Sequence, residues 1–412
     1  MTDHELALLR DLARQHALIA QDEENLRRIA RWKATVSGRQ PDRMPVLCRL
    51  DSTAHEILRE EDLRCTDPQL RGLERRLRWE LFTATLGDDH CLSTSQPCGP
   101  VVRQTTPADY GLDNERQQPS QQGGAWKSIP SISQVADLDR LVMPAWTYDA
   151  DATARKRSRL EEIFDGIAPV ESAGGPSCNT MYDMIAERFI GYGQLLEAVL
   201  DEPELVHRLM AFLRDSSLAE IDWYEAQGLV CENNHHHKYN SDSLKTDPSA
   251  PTSCRERWIW SNSQIFDVVG PDQFETFLLD YQKPVFHRFG AVSYGCCENL
   301  THKLERLLTI PNLRIFVNSA WTDLARTAPI CAEHGLVIEW RQLATDMLGS
   351  PDFQRWDDHL RHGLQLTSAG NRWIVLQEVQ TTEGDVDKFR RWCATAVHAC
   401  EELTGSGSLQ RV

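Results

Sequence analysis

No stretch of the 412-residue chain approaches the ~20 consecutive apolar residues that a membrane-spanning helix needs, so no membrane segment is expected. Basic charge is also short: 44 Lys and Arg stand against 61 Asp and Glu, a formal net charge of −17. A protein that grips a phosphate backbone presents a basic surface, so nucleic acid is not an expected partner. The opening residues, MTDHELALLRDLARQ, lack the basic, apolar and small-residue zones of a secretory signal, and the expected compartment is the cytoplasm. Neither G-x-G-x-x-G nor G-x-x-x-x-G-K-[ST] occurs, which leaves no signature for a dinucleotide or a nucleotide phosphate.

Cysteine, by contrast, is plentiful. Twelve occur, at 48, 65, 91, 98, 178, 231, 254, 296, 297, 331, 393 and 400, without regular spacing. In a cytoplasmic protein these are expected to be reduced thiols, several buried and a few available as metal ligands. Hydrophobic content of 41% and charged content of 25% are those of an ordinary globular protein large enough for one big domain.

Apolar residues from Leu6 to Trp32 recur at helical spacing and predict an N-terminal helical extension over residues 1–40. Beyond it, eight short apolar runs read as strands, at 46–50, 90–94, 167–171, 229–232, 291–296, 313–317, 336–340 and 373–376. Helical pattern separates most of them. Short strands alternating with helices imply a parallel sheet covered by helices, and eight is the count of a (β/α)8 TIM barrel. The expected barrel spans residues 41–403, and 404–412 (TGSGSLQRV) is expected to be a flexible tail. The polar segment 114–124 reads as an exposed loop.

In such a barrel the chemistry gathers at the C-terminal strand ends. That rule selects Glu232 to Tyr239, Tyr294 to Glu298, Asn318 to Asp323, Glu339 to Arg341, and Glu378. Thiolate, imidazole and carboxylate are the donors zinc uses, and a catalytic zinc keeps one position open. Cys296 and Cys297 are the metal-ligand candidates, with His235, His237, Glu298 and Glu232 as supplements; the competing reading buries both thiols in the core. Glu298, Asp323, Glu339 and Glu378 are acid–base candidates, or else partners of arginine. Trp321 and Trp340 are candidates to wall a substrate pocket and Asn318 to bind substrate; the alternative is packing.

Several segments are similar to the uroporphyrinogen decarboxylase-like superfamily. They are Arg31-Trp32 with Asp42-Arg43-Met44-Pro45-Val46, Gly72 to Leu77 leading to Asp88-Asp89, Phe274-Glu275-Thr276-Phe277 with Tyr281-Gln282-Lys283-Pro284, Tyr294-Gly295-Cys296-Cys297-Glu298, and Ile310-Pro311-Asn312-Leu313-Arg314. The resemblance covers about residues 30–400, and its most specific pieces are Tyr-Gly-Cys-Cys-Glu and Ile-Pro-Asn-Leu-Arg. It implies a (β/α)8 barrel. It also implies either a cofactor-free decarboxylase or a zinc-dependent methyltransferase that moves a methyl group between a corrinoid and a thiol. In the methyltransferase pattern, a His-x-Cys on the fifth strand is followed by a later cysteine. Here Tyr294 stands in the histidine's place and Cys296 in the cysteine's, and no later thiol lies near Asn371-Arg372-Trp373-Ile374. For the decarboxylase pattern, the Arg43 region and Asp89 are the nearest matches to its arginine-rich cleft and aspartate.

The resulting expectation is a zinc-dependent, methyltransferase-like enzyme that activates a thiol or other heteroatom, with Tyr294 or Glu378 handling the proton and a corrinoid such as methylcobalamin as methyl donor. The expected partners are a small-molecule substrate, a corrinoid protein and a second copy in a homodimer. Two alternatives stand beside it: a metal-free decarboxylase or lyase, and a non-catalytic partner of a corrinoid protein.

Overall fold

The structure is a computed structural model that describes residues 1–113, 115–118, 127–234 and 237–407. Six strands form one parallel sheet: β1 (Val46–Cys48), β2 (Trp258–Ser261), β3 (Ala291–Tyr294), β4 (Leu313–Asn318), β5 (Val337–Gln342) and β6 (Arg372–Leu376). Their order is β1-β6-β5-β4-β3-β2, so the first strand lies beside the last. Runs such as Ile315-Phe316-Val317 are buried on both faces, which is why they read as continuous apolar segments. No helix among the described residues is long and apolar enough to cross a membrane.

Among the described residues the regular ladder holds six strands, not the eight of a closed barrel. Five expected strands lie in the sheet. The runs 90–94 and 229–232 form no strand, and 167–171 is represented by Val170–Ser172, which pairs with Gln96–Cys98 in a separate small sheet. β2 replaces 229–232 as the strand before β3. The reason is visible at the two sheet edges, where side chains take over from ladder bonds. Beyond β1, the Asp88 carboxylate accepts from the Cys48 amide at 2.7 Å and that of Asp89 from the Val46 amide at 2.8 Å. Beyond β2, the Asn233 side chain accepts from Trp258 N at 2.9 Å and donates to Trp258 O at 2.8 Å. Trp260 N on the same edge donates to Cys178 O at 2.9 Å in an isolated parallel bridge with Asn179, so these edge amides are satisfied without a regular neighbouring strand.

Alternation along the strands sorts the core into two faces. Leu47, Trp258, Ala291, Ile315, Val337, Trp373 and Val375 face inward and pack on Ile29, Trp32 and Val36 of the helix Glu23–Val36. Fully burying Trp32 contributes about 5 kcal/mol before entropy is charged against it. The helix Glu23–Val36 is therefore part of the sheet's inner core, whereas Leu9, Leu12 and Ala13 of the helix Asp3–Ala20 pack in a separate cluster with Leu70, Leu77 and Phe164. Opposite parity sends Val292, Tyr294, Phe316, Ile338, Trp340 and Ile374 outward, into the layer shared with the helices. The final helix, Asp387–Gly407, runs into the segment expected to be tail, and 408–412 lie outside the described residues, as does most of 114–124.

Trp340 illustrates the outer layer. A Cβ placed on Gly363, in the helix Phe353–Leu366, would sit 2.0 Å from the Trp340 ring. Gly363→Ala is expected to destabilise the fold by about 1–3 kcal/mol through overpacking, read as a lower urea midpoint. An unchanged midpoint would mean that the ring and helix are not in this contact.

Candidate functional site

At the end of β3 the chain turns through Gly295-Cys296-Cys297-Glu298. Gly295 has φ +121°, and a Cβ there would meet Leu300 Cδ1 and Val317 Cβ at 2.8 Å, so only glycine fits the turn. Glu298, 2% exposed, pins the loop from behind. Its carboxylate accepts from Ser263 N at 2.8 Å and Cys296 N at 2.9 Å. Burial raises its pKa. The two thiols emerge half-buried, with sulfurs 3.5 Å apart.

Three further chain segments meet them. Arg341 on β5 shares the inward parity of Glu339 and donates to it through Nε at 2.7 Å. Its Nη1 lies 3.3 Å from Cys296 Sγ and 3.1 Å from Glu378 Oε1. Glu378 follows β6 in a left-handed conformation, φ +66°, which costs a non-glycine residue roughly 1–2 kcal/mol. Cys297 donates to Glu378 Oε1 at 3.0 Å, and Gln264 Nε2 donates to Cys297 Sγ at 3.0 Å. The hydrogen bond with Cys297 and then the charge of Arg341 bring the Cys296 thiol down to about 7, against the opposing effect of burial. Cys297 moves the other way, because it donates toward Cys296 and Glu378 and is partly buried. The arrangement favours one thiolate and one thiol. The sulfurs of Cys296 and Cys297 and a carboxylate oxygen of Glu378 lie within 4.8 Å of one another, close enough to share a metal ion.

Cys296 lines a cavity of about 410 Å³. Leu47, Trp260, Trp373 and Val375 form its apolar walls, and Arg49, Lys238, Glu339 and Arg341 its charged ones. Burial, then the charge of Arg49, brings the Lys238 ammonium down to about 8.

No family model matches the chain, and no curated protein matches it in sequence. Among solved structures it is similar to a methyltransferase from Methanosarcina mazei, with 10% identity and a TM-score of 0.49 over 91% of this chain and 98% of that one.

The other residues singled out in the sequence lie apart from the thiols. Tyr294 is fully buried on the outer face between Phe274 and Phe286, its hydroxyl donating to Gln282 Oε1 at 3.0 Å. Strand parity removes it from the mouth. Asn318 and Trp340 share that outward parity; Asn318 accepts from Thr327 Oγ1 at 2.6 Å, and Trp340 packs on Gly363. Trp321 is 62% exposed rather than walling a pocket, because it lies in the turn after β4. Asp323 caps the helix Leu324–Glu333, accepting from the amides of Ala325 and Arg326. Glu232 accepts from Ser243 Oγ, outside the donor cluster. The His237 ring lies 5.5 Å from that of His90 and 6.5 Å from Trp32. This places it on the inner core rather than with the sulfurs. His235 lies outside the described residues. The strand-end rule took in Arg341 and Lys238 without giving either a role, and it missed Gln264, Trp260 and Trp373. The signal for Arg341 was present, since Glu339 and Arg341 are two apart on one strand and so share a face.

Behind the loop, Asp183 is fully buried and accepts from the Ile265 amide at 2.8 Å. Burial pushes its carboxyl up to about 7, whereas an unfolded aspartate titrates near about 4. Between these values the folded state holds one more proton than the unfolded state, so this group's contribution to stability falls as pH rises from about 4 to about 7. Asp183→Asn is expected to remove that fall. The check is the difference in urea midpoint between variant and wild type from pH 4.5 to 8. A difference that does not vary with pH would refute the assignment.

Proposed function

We propose that this chain is a metal-dependent enzyme of the methyltransferase kind, with zinc held by Cys296, Cys297 and Glu378 at the mouth of the Cys296 cavity. The observation that carries the reading is the convergence of two sulfurs and one carboxylate oxygen within 4.8 Å beside that cavity. Three protein donors with a fourth position left to substrate is the pattern of catalytic rather than structural zinc. Three anionic donors around a doubly charged ion leave one negative charge, and Arg341, 3.1–3.3 Å from Cys296 and Glu378, divides its positive charge between that site and Glu339. Zinc there supplies Lewis acidity that lowers the pKa of a substrate thiol or other heteroatom and makes it nucleophilic.

The chain's own residues have defined tasks in this reading. Glu298 and Gly295 fix the loop, Gln264 holds Cys297, and Arg341 orients Glu378 toward Cys296. Trp260 and Trp373 exclude water from one side of the substrate. A corrinoid such as methylcobalamin, free or on a partner protein, is the proposed methyl donor. The proposed scaffold is a (β/α)8 barrel in which side chains replace ladder bonds at the edges of β1 and β2.

The test is elemental analysis of the purified chain together with incubation with methylcobalamin and a thiol. About one zinc per chain and thiol-dependent loss of the methylcobalamin spectrum are expected. A folded protein with no bound metal would overturn the reading. Arg341 favours a second, metal-free reading: it donates directly to Cys296 Sγ and so stabilises a thiolate without zinc. In that case Cys296 is itself the nucleophile, and alkylation by iodoacetamide near pH 7 would stay fast in the presence of zinc.

A further inference from the structure

At the opposite end of the sheet, Arg372 opens β6. It is 7% exposed, yet it makes no ion pair among the described residues. Its Nη1 donates to Gly370 O at 2.8 Å and its Nη2 to Leu364 O at 3.2 Å, while its buried Nε has no partner. Leu364 belongs to the last turn of the helix Phe353–Leu366, so the helix dipole offsets part of the guanidinium charge, roughly half a charge at most. The remainder is uncompensated. A buried cation without an acid is costly, and burial accordingly pushes the Arg372 pKa down. Among the described residues the one titratable neighbour acting on it, the Cys400 thiol, is itself pushed up to about 12 by burial and is neutral.

Arg372 also lines a groove of about 910 Å³, open between the segment 38–44, the start of β5 and the last helix. Gln40, Gln365 and Ser368 add polar groups to it, and Met44, Leu336 and Leu403 an apolar side. We propose that this groove is a binding site for a small molecule carrying an oxyanion, phosphate or carboxylate, which pairs with Arg372. A guanidinium fork suits such a group because its donors match two oxygens at once. Glu378 follows the far end of the same five-residue strand, so a ligand here lies roughly 15–20 Å from the sulfurs. The site is therefore separate from the cysteine centre, and its occupant does not take part in chemistry there.

The experiment uses the full chain with inorganic phosphate or succinate as probe, at ionic strength matched with chloride. Phenylglyoxal modification of Arg372, mapped by peptide mass spectrometry, is expected to slow about tenfold at a probe concentration ten times its Kd. Protection by phosphate alone assigns a phosphate-bearing ligand, and protection by succinate alone a carboxylate. Thermal midpoints provide the second readout: the better probe raises that of wild type and leaves that of Arg372→Gln where it was. If the variant does not fold, footprinting on the wild type still decides. Equal modification rates with either probe and with chloride would overturn the proposal, as would a probe-induced midpoint rise that survives in folded R372Q. Cys296→Ser with Cys297→Ser should leave the protection unchanged, which separates this site from the fate of the zinc reading.

Discussion

Replacing Cys296 and Cys297 together with serine is expected to lower bound zinc from about one equivalent per chain to below about one tenth, and to abolish thiol-dependent methyl transfer. Serine hydroxyls stay protonated near neutral pH and do not replace thiolates, so Glu378 remains as a single donor. The variant should fold, because the loop is shaped by other groups. Gly295 permits the turn, and Glu298 holds the Ser263 and Cys296 amides, bonds that do not involve sulfur. Circular dichroism and the urea midpoint check this directly. Full zinc content in a folded double variant would eliminate the site. Retained methyl transfer without zinc would eliminate the chemistry proposed for it.

The second large effect is structural. Asp89→Ala is expected to cost about 3–5 kcal/mol of stability, read by urea denaturation. Asp89 is fully buried and accepts from Arg31 Nη1 at 2.5 Å, Arg43 Nη1 at 2.7 Å and the Val46 amide at 2.8 Å. Removing it leaves two guanidinium groups, 6% and 8% exposed, and one edge amide without their acceptor. Arg31 keeps Asp42 at 2.6 Å, which limits the loss on that side; Arg43 keeps the Met44 carbonyl at 3.0 Å and, as its ion pair among the described residues, the weaker approach of Glu401 at 3.8 Å. A loss below about 1 kcal/mol would show that these two carboxylates take over. The same contacts explain why the Asp89–Arg43 pair reads like part of a carboxylate-binding cleft in the sequence while being internal here. Both are spent on tying the N-terminal helix to β1.

Much of the site was legible from local pattern. Tyr294 to Glu298 ends an apolar run, so the position of the cysteines at a strand end followed from composition alone. Tyr294, Asn318 and Trp340 were misplaced for one shared reason. The strand ends were read as lists, whereas alternate residues leave the sheet on opposite faces, and counting parity from the inward-facing Ala291, Ile315 and Val337 of the same strands sends all three outward. The runs at 90–94 and 229–232 are apolar enough for strands, but Asp88, Asp89 and Asn233 occupy the edge amides that a strand would need.

Hydrophobic periodicity determined where most of the strands and helices lie, because burial on one or both faces leaves its trace within a few residues. Residue chemistry determined that the Cys296-Cys297 turn holds metal-ligand donors. Only the tertiary structure decided what joins them. Arg341 is 45 residues from Cys296, and Glu378 is 81 from Cys297. Pairings over such distances depend on strand order and register, which no local pattern encodes. The same holds for Arg372, whose unmet charge is evident only once the helices close over it.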